Sequence, residues 1–525
     1  MTEVVVAPVL VGLVTAIVCL AVRRWPRLGR AVSLVGAVGY LLAVAALVRA
    51  VAGDPDGVLV YALGGWPAPF GIVLVADALS AVFLALSAVV SLAAVVYANR
   101  FVDGAGQRLS YHPLYHMMLV GVTGAFLTGD IFNLFVWFEV MLLSSYVLVV
   151  FYSGPEHTRA ALQYTILNLV ASAVMLLAIG GLYATLGTLN MADMARRLAA
   201  PQQYGVEPAV VLGLGGLLLA VFALKAGLVP FQFWVPDAYR AAPAPVTAVL
   251  AGVVKKVGVY AVIRVYFTVL GGGAVADPLL GDGAFLAYFG PLLLAMAAGS
   301  ILLGGVGALG QDDLSGLLSY SSIGQVGFII LPLGVGALVP AVRELAIVAA
   351  VVYSINHGLA KGLLFLVAGA VQASTETLEF DRLGGLTGSE PLLSGAFFVG
   401  GLALVGIPPL TGFFGKLLVF DVGSAALGPA PTLGAFALAL ALGGAILTIA
   451  YVSLAWSRGF WGATGPAVGR ARAEPRFVAV AAVLALAVVA FGVGFEPVYA
   501  ASTDAARAAL DSSGYVEAVL GGGGA

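Results

Sequence analysis

The chain has 525 residues, 61% of them hydrophobic and only 10% charged, with a mean hydropathy of +1.07, far outside the range of soluble domains. It reads as an integral membrane protein. A net charge of −2 without long runs of like charge argues against a nucleic-acid partner, so the bilayer and other membrane subunits are its expected surroundings.

Apolar runs long enough to cross a bilayer as helices recur along the whole sequence, and the alternating pattern of an outer-membrane barrel is not seen. The predicted spans are roughly 4–22, 31–51, 72–97, 111–128, 131–152, 159–186, 208–235, 245–269, 285–306, 316–339, 343–371, 391–421, 433–457 and 476–495. This makes an all-α polytopic protein of about fourteen transmembrane helices. No stretch between them is long enough for a soluble domain, so residues 1–525 form one membrane domain. The first run, Val4 to Val22, exceeds a signal-peptide core and is followed rather than preceded by arginines, which predicts a retained helix. The tail, ending in Gly521 to Gly524, is expected to fray. Cys19 stands alone, which excludes an internal disulfide, and the four histidines show no zinc-ligand spacing with a third ligand. No cofactor or metal site is read.

Arginine sets the expected orientation, because cytoplasmic loops carry the basic excess. With the N-terminus outside, 13 arginines fall on inner connections: Arg23, Arg24, Arg27, Arg30, Arg100, Arg108, Arg159, Arg240, Arg382, Arg458, Arg470, Arg472 and Arg476. Six fall on the other face: Arg49, Arg196, Arg197, Arg264, Arg343 and Arg507. Both termini are therefore expected outside. The remaining basic residues are five lysines, Lys225, Lys255, Lys256, Lys361 and Lys416, and each lies inside a predicted helix. A charge at a helix centre costs about 2.5–3.5 kcal/mol on insertion scales, so this set needs partners, hydration or neutralisation. Proton handling fits that need.

The run "GDIFNLFVWFEVMLLSSYVLVVFY", residues 129–152, carries one acid near its middle, Glu139. Lys225 is its best available partner in the first half of the chain, and the two are expected to form an ion pair, either a structural bridge or a switch whose opening alters the charge state of the lysine. Lys225 precedes "AGLVPFQFWVP", in which Pro230 interrupts the helix. In "LVGIPPLTGFFGKLLVF", Pro408 and Pro409 break the helix that carries Lys416. A broken, lysine-bearing helix in each half is the pattern of inverted-repeat transporters, although one lysine precedes its proline and the other follows.

Lys255 and Lys256 are adjacent and point about 100° apart, so only one is expected to face a central path. In "YSINHGLAKGLLFL", His357 and Lys361 are four apart and share a helix face suited to passing a proton; a histidine merely bonded in a polar helix contact is the plainer reading. His112, His116 and His157 sit near segment ends and are expected at the interface. The patch "SYSSIGQ", Ser319 to Gln325, holds either water or ordinary helix contacts.

These segments resemble the antiporter-like membrane subunits shared by Mrp-type multisubunit Na+/H+ antiporters, respiratory complex I and membrane-bound hydrogenases. The similarity covers nearly the whole chain. "GAFLTGDIFNLFVWFEVMLLSSYVLVV", "GTLNMADMARRLA" and "GIPPLTGFFGKLLVF" are closest to the Mrp branch. The resemblance implies fourteen helices with two inverted five-helix repeats, about 111–269 and 285–457, and broken seventh and twelfth helices. It aligns Glu139 with the family's fifth-helix glutamate and Lys225 with its seventh-helix partner. Lys256 matches the eighth-helix lysine, which ranks it above Lys255. His357 and Lys361 match polar positions of the eleventh helix, and Lys416 the residue that ends the central axis. The lysine at that last position, where several complex I relatives carry glutamate, fits the antiporter branch. Gln232 stands where the family often has histidine, so a proton role is unavailable there.

The resulting expectation is a proton-translocating subunit of a hetero-oligomeric cation/proton antiporter in a prokaryotic cell membrane, without an enzymatic site of its own. Protons would pass along Lys256, His357, Lys361 and Lys416 as the Glu139 to Lys225 pair opens and closes. Sodium would cross through a partner subunit. The alternatives are a proton-pumping subunit of a redox complex whose redox site lies elsewhere, and a membrane subunit whose buried charges only hold helices together.

Overall fold

The computed structural model describes residues 3–277, 281–469 and 472–521; Arg470 of the inner-face arginines and Gly522 to Gly524 of the tail lie outside them. Helices dominate, because a chain in lipid satisfies its backbone polar groups most simply within a helix. In order they are α1 (Glu3–Ala21), α2 (Pro26–Gly53), α3 (Ala78–Phe101), α4 (Tyr111–Leu127), α5 (Ile131–Val149) and α6 (Pro155–Leu186). Next come α7a (Pro208–Ala226) and α7b (Trp234–Ala241), α8 (Ala244–Val269), α9 (Phe285–Leu309), α10 (Leu314–Leu338) and α11 (Arg343–Thr375). Then follow α12a (Pro391–Val405), α12b (Thr411–Ala426), α13 (Pro431–Ala455), α14 (Pro475–Val493), α15 (Phe495–Leu510) and α16 (Ser512–Gly521).

Among the described residues, 12 helices are long and apolar enough to cross a membrane. The other two expected spans are α4, with 17 residues, and the twelfth helix, which is divided into pieces of 15 and 16 residues. Aspartates start several of the helices. Asp77 accepts the Ser80 amide at 3.0 Å, Asp130 the Asn133 amide at 2.8 Å and Asp313 the Gly316 amide at 2.7 Å, which satisfies amides that have no partner within the helix. An antiparallel hairpin, Val58–Ala62 with Val73–Asp77, joins α2 to α3, and the Val73 carbonyl accepts from the Gly129 amide at 3.0 Å in the turn between α4 and α5.

The apolar windows of α10 and α11 are 94% buried and that of α8 is wholly buried, so these three form the middle of the bundle. Glycines let the backbones approach: a Cβ on Gly304 of α9 would lie 2.3 Å from the Gly324 amide nitrogen of α10. Helices seven and twelve break alike. At Gly227 (φ 69°) and Gly406 (φ 90°) the chain turns left-handed, and the next amide closes the preceding helix, Leu228 to the Ala223 carbonyl at 2.9 Å and Ile407 to Leu402 at 3.1 Å. All five lysines sit within helices, two of them beside these breaks.

Candidate functional site

The acid and base of the first half do not touch. No Glu139–Lys225 contact within 4.0 Å exists, and the expected ion pair is replaced by two hydrogen bonds to α6. Ser172 donates its hydroxyl to the Glu139 carboxylate, and the Lys225 ammonium donates to Asn168 Oδ1 at 3.0 Å. Asn168 and Ser172 are four apart, one helical turn, so α6 presents both from one face. Glu139 remains near enough to act electrostatically on Lys225. Asn168 is fixed in turn by its own amide bond to the Tyr164 carbonyl at 2.8 Å, and the Lys225 ammonium lies 5.7 Å from the Phe138 ring centre. Sequence reading missed Asn168 and Ser172; the available signal was two hydrogen-bonding residues at a four-residue spacing in an otherwise apolar run.

At the centre both lysines of α8 are fully buried and both face the same cluster, contrary to the expectation of one. Lys256 Nζ lies 2.6 Å from His357 Nδ1, and Lys255 Nζ donates to the Ser322 hydroxyl and carbonyl at 3.4 Å. Ser322 also stands 3.4 Å from His357 Nε2. The imidazole therefore meets Lys256 directly and Lys255 through Ser322: four-carbon stems bend around a 100° difference in direction, and a π-helical turn at Leu250–Val254 resets the helix phase just before them. Lys361 reaches α10 separately, donating to the Leu318 carbonyl at 2.8 Å and to the Ser321 hydroxyl. The Ser319 to Gln325 patch thus contacts the lysines directly.

Beyond this cluster, Gln325 links Tyr353, Tyr451 and Thr448, and Phe328, one turn further along α10, lies 5.0 Å from Lys416 Nζ. Lys416 reaches back over the second break to the Val405 carbonyl at 3.0 Å, the open end of α12a. A cation at a helix C-terminus meets both a free acceptor and the negative end of the helix dipole.

Two expectations about other residues change. Arg264, read as an interfacial arginine, is 2% exposed and bonds Asp77 at 2.5 Å, with Tyr260 at 3.3 Å; the hairpin that ends in Asp77 folds against α8 and supplies its counter-charge. His112 and His116 are buried rather than interfacial, and His116 Nε2 lies 2.9 Å from the Ser33 hydroxyl, because α4 packs inside α1 and α2. Gln232 is buried at the first break with its carbonyl oxygen unpartnered.

Chemically, the cluster combines amines and an imidazole in hydrogen-bond contact without a carboxylate within 4.0 Å of any described lysine. A proton can sit on Lys256 and be donated to Nδ1, or sit on Nδ1 and be donated to the amine. Its arrival at one member repels a proton on the next, strongly so in a weakly polar interior. A buried series of protonatable groups running between two broken helices defines an antiporter-like, ion-handling membrane subunit.

The family described as NADH:quinone oxidoreductase/Mrp antiporter, transmembrane, matches residues 128–439, and the chain belongs to it. It is 34% identical over 522 residues to the D-type subunit of the Na(+)/H(+) antiporter of Alkalihalophilus pseudofirmus, covering 99% of this chain and 100% of that one. Against the corresponding D-type Na(+)/H(+) antiporter chain of Bacillus subtilis it is 33% identical with the same coverage. The fold is similar to a chain in the structure of the Mrp complex from Dietzia sp. DQ12-45-1b, with a TM-score of 0.86, 28% identity, and coverage of 99% of this chain and 100% of that one.

Proposed function

We propose that this chain is the D-type subunit of a multisubunit Na+/H+ antiporter and that it moves protons through the membrane along its buried lysines. The observation that supports this most is the succession of buried protonatable groups: Lys225 on Asn168, Lys255 and Lys256 around His357, Lys361 on Ser321 and Lys416 at the second break. Glu139, held by Ser172, sets the charge felt by Lys225. A shift of α6 that releases either bond brings carboxylate and ammonium together, and their attraction strengthens as they close. Residues 111–269 and 285–457 act as inverted repeats, each with one broken helix. Both termini face outward from a prokaryotic inner membrane, partner subunits complete the complex, and sodium crosses in one of them. The chain itself carries no enzymatic step. The sequence relatives matched over their whole length at 33–34% identity are antiporter subunits, and this favours the reading over a proton-pumping subunit of a redox complex, which the wider family also contains.

The decisive experiment is cation-dependent proton flux in inverted vesicles carrying the whole operon, comparing wild type with Lys225→Ala at equal assembly. Flux is expected to fall to the level of vesicles without the operon. A wild-type rate would make the lysines structural.

A further inference from the structure

Resting on that reading, a cavity of about 670 Å³ opens at the ends of α6, α7b, α8, α10 and α11, on the face to which the arginine excess assigns the cytoplasm. Five carboxylates line it, Glu156, Asp312, Asp313, Glu379 and Asp381, against one cation, Arg240, which bonds Asp313 at 2.5 Å. Two aromatic side chains, Tyr239 and Phe365, also line it and meet edge to face with ring centres 5.3 Å apart. Each lies against a central lysine: Lys255 Nζ is 6.0 Å from the Tyr239 ring centre and Lys361 Nζ is 5.9 Å from that of Phe365. The tyrosine differs from the phenylalanine in one respect. It is 2% exposed, and its buried hydroxyl makes no hydrogen bond of normal geometry while facing Ser322.

Ser322 is the polar group this buried hydroxyl faces, and a buried hydroxyl held so loosely is uncommon. The residue that carries it lines the acidic cavity, and the serine it faces touches both Lys255 and His357. We propose that this cavity is the proton port of the inner face, and that the Tyr239 hydroxyl carries each proton between it and Ser322. The carboxylates attract protons from solution, since several like charges in a confined space raise the local cation concentration. A proton donated to the tyrosine oxygen from water in the cavity forms one O–H bond as the hydroxyl's own proton leaves to the Ser322 oxygen. The tyrosine ends as it began, and Ser322 passes its proton to His357 or Lys255 in the same way. Phe365, with no oxygen, closes the floor beneath Lys361, so the route enters on the Lys255 side.

Tyr239→Phe retains the ring against Phe365 and Trp234 and removes only the oxygen. In inverted vesicles, at equal assembly, it is expected to lower cation-dependent proton flux about a hundredfold, the lower range for a positioned proton-transfer group. Wild-type flux in Tyr239→Phe beside an inactive Lys225→Ala would overturn the port while leaving the subunit's role intact; wild-type flux in both would overturn the role as well. A second measurement covers impaired folding of the tyrosine variant. Gln372→Cys, at the cavity wall in a Cys19→Ser background, is treated in inverted vesicles with a membrane-impermeant cationic methanethiosulfonate. Slowed flux on modification supports the port, and full flux with the label in place rejects it.

Discussion

The two broken helices end alike, at a left-handed glycine, and hold their lysines differently. Lys225 is in the last turn before the break and donates to a side chain, Asn168, with Glu139 nearby. Lys416 follows the break and donates to a backbone carbonyl, Val405. A side-chain partner on a neighbouring helix moves when that helix moves; a carbonyl at a helix end is a permanent acceptor. The contact of Lys225 therefore depends on where α6 stands, whereas the partner of Lys416 belongs to its own broken helix. The second half also buries an asparagine, yet Asn356 donates to the Ala403 carbonyl at 3.3 Å and does not bond Lys416. Asn168 restrains a charge, whereas Asn356 restrains a helix end.

Three substitutions test this contrast. The largest effect belongs to a charge outside both breaks, Arg264, whose removal leaves Asp77 buried and unpaired. Arg264→Ala is expected to cost about 3–5 kcal/mol, seen as loss of detergent-stable complex; undiminished complex would mean that buried charge here is not structural, and the separation of structural from transporting charges would collapse. At the first break, Asn168→Leu removes the acceptor of an ammonium, a bond of about 1.5–3 kcal/mol, and is expected to slow proton flux about tenfold or more while the complex still assembles. Unchanged flux would show that Lys225 does not depend on α6. The smallest effect is expected from Asn356→Ala at the second break, about 1 kcal/mol of stability in a thermal assay of the complex with flux close to wild type, because Lys416 keeps its own carbonyl. A loss of flux matching that of Asn168→Leu would make the two breaks equivalent after all.

Local chemistry made much of this legible beforehand. Hydropathy placed the helices, Pro230 and Pro408–Pro409 located the breaks, and a charge in an apolar run is visible without any structure. Pairing was harder to foresee. Glu139 and Lys225 were matched as the best available acid and base buried in the first half of the chain, but α6 supplies Asn168 and Ser172 to them instead. Arg264 lay close to the predicted end of its span, and only the fold of the hairpin brought Asp77 to it.

What the sequence by itself determined is the membrane-embedded helical class, the five lysines held within it and the positions of the two breaks, since each follows from local hydropathy and backbone chemistry. The tertiary structure alone decided which groups touch: Lys255 and Lys256 converging through Ser322 and His357, and Tyr239 lying against Lys255 and lining an acidic cavity. Contact between distant side chains depends on how helices pack and on how far long side chains bend, and neither is encoded in local periodicity.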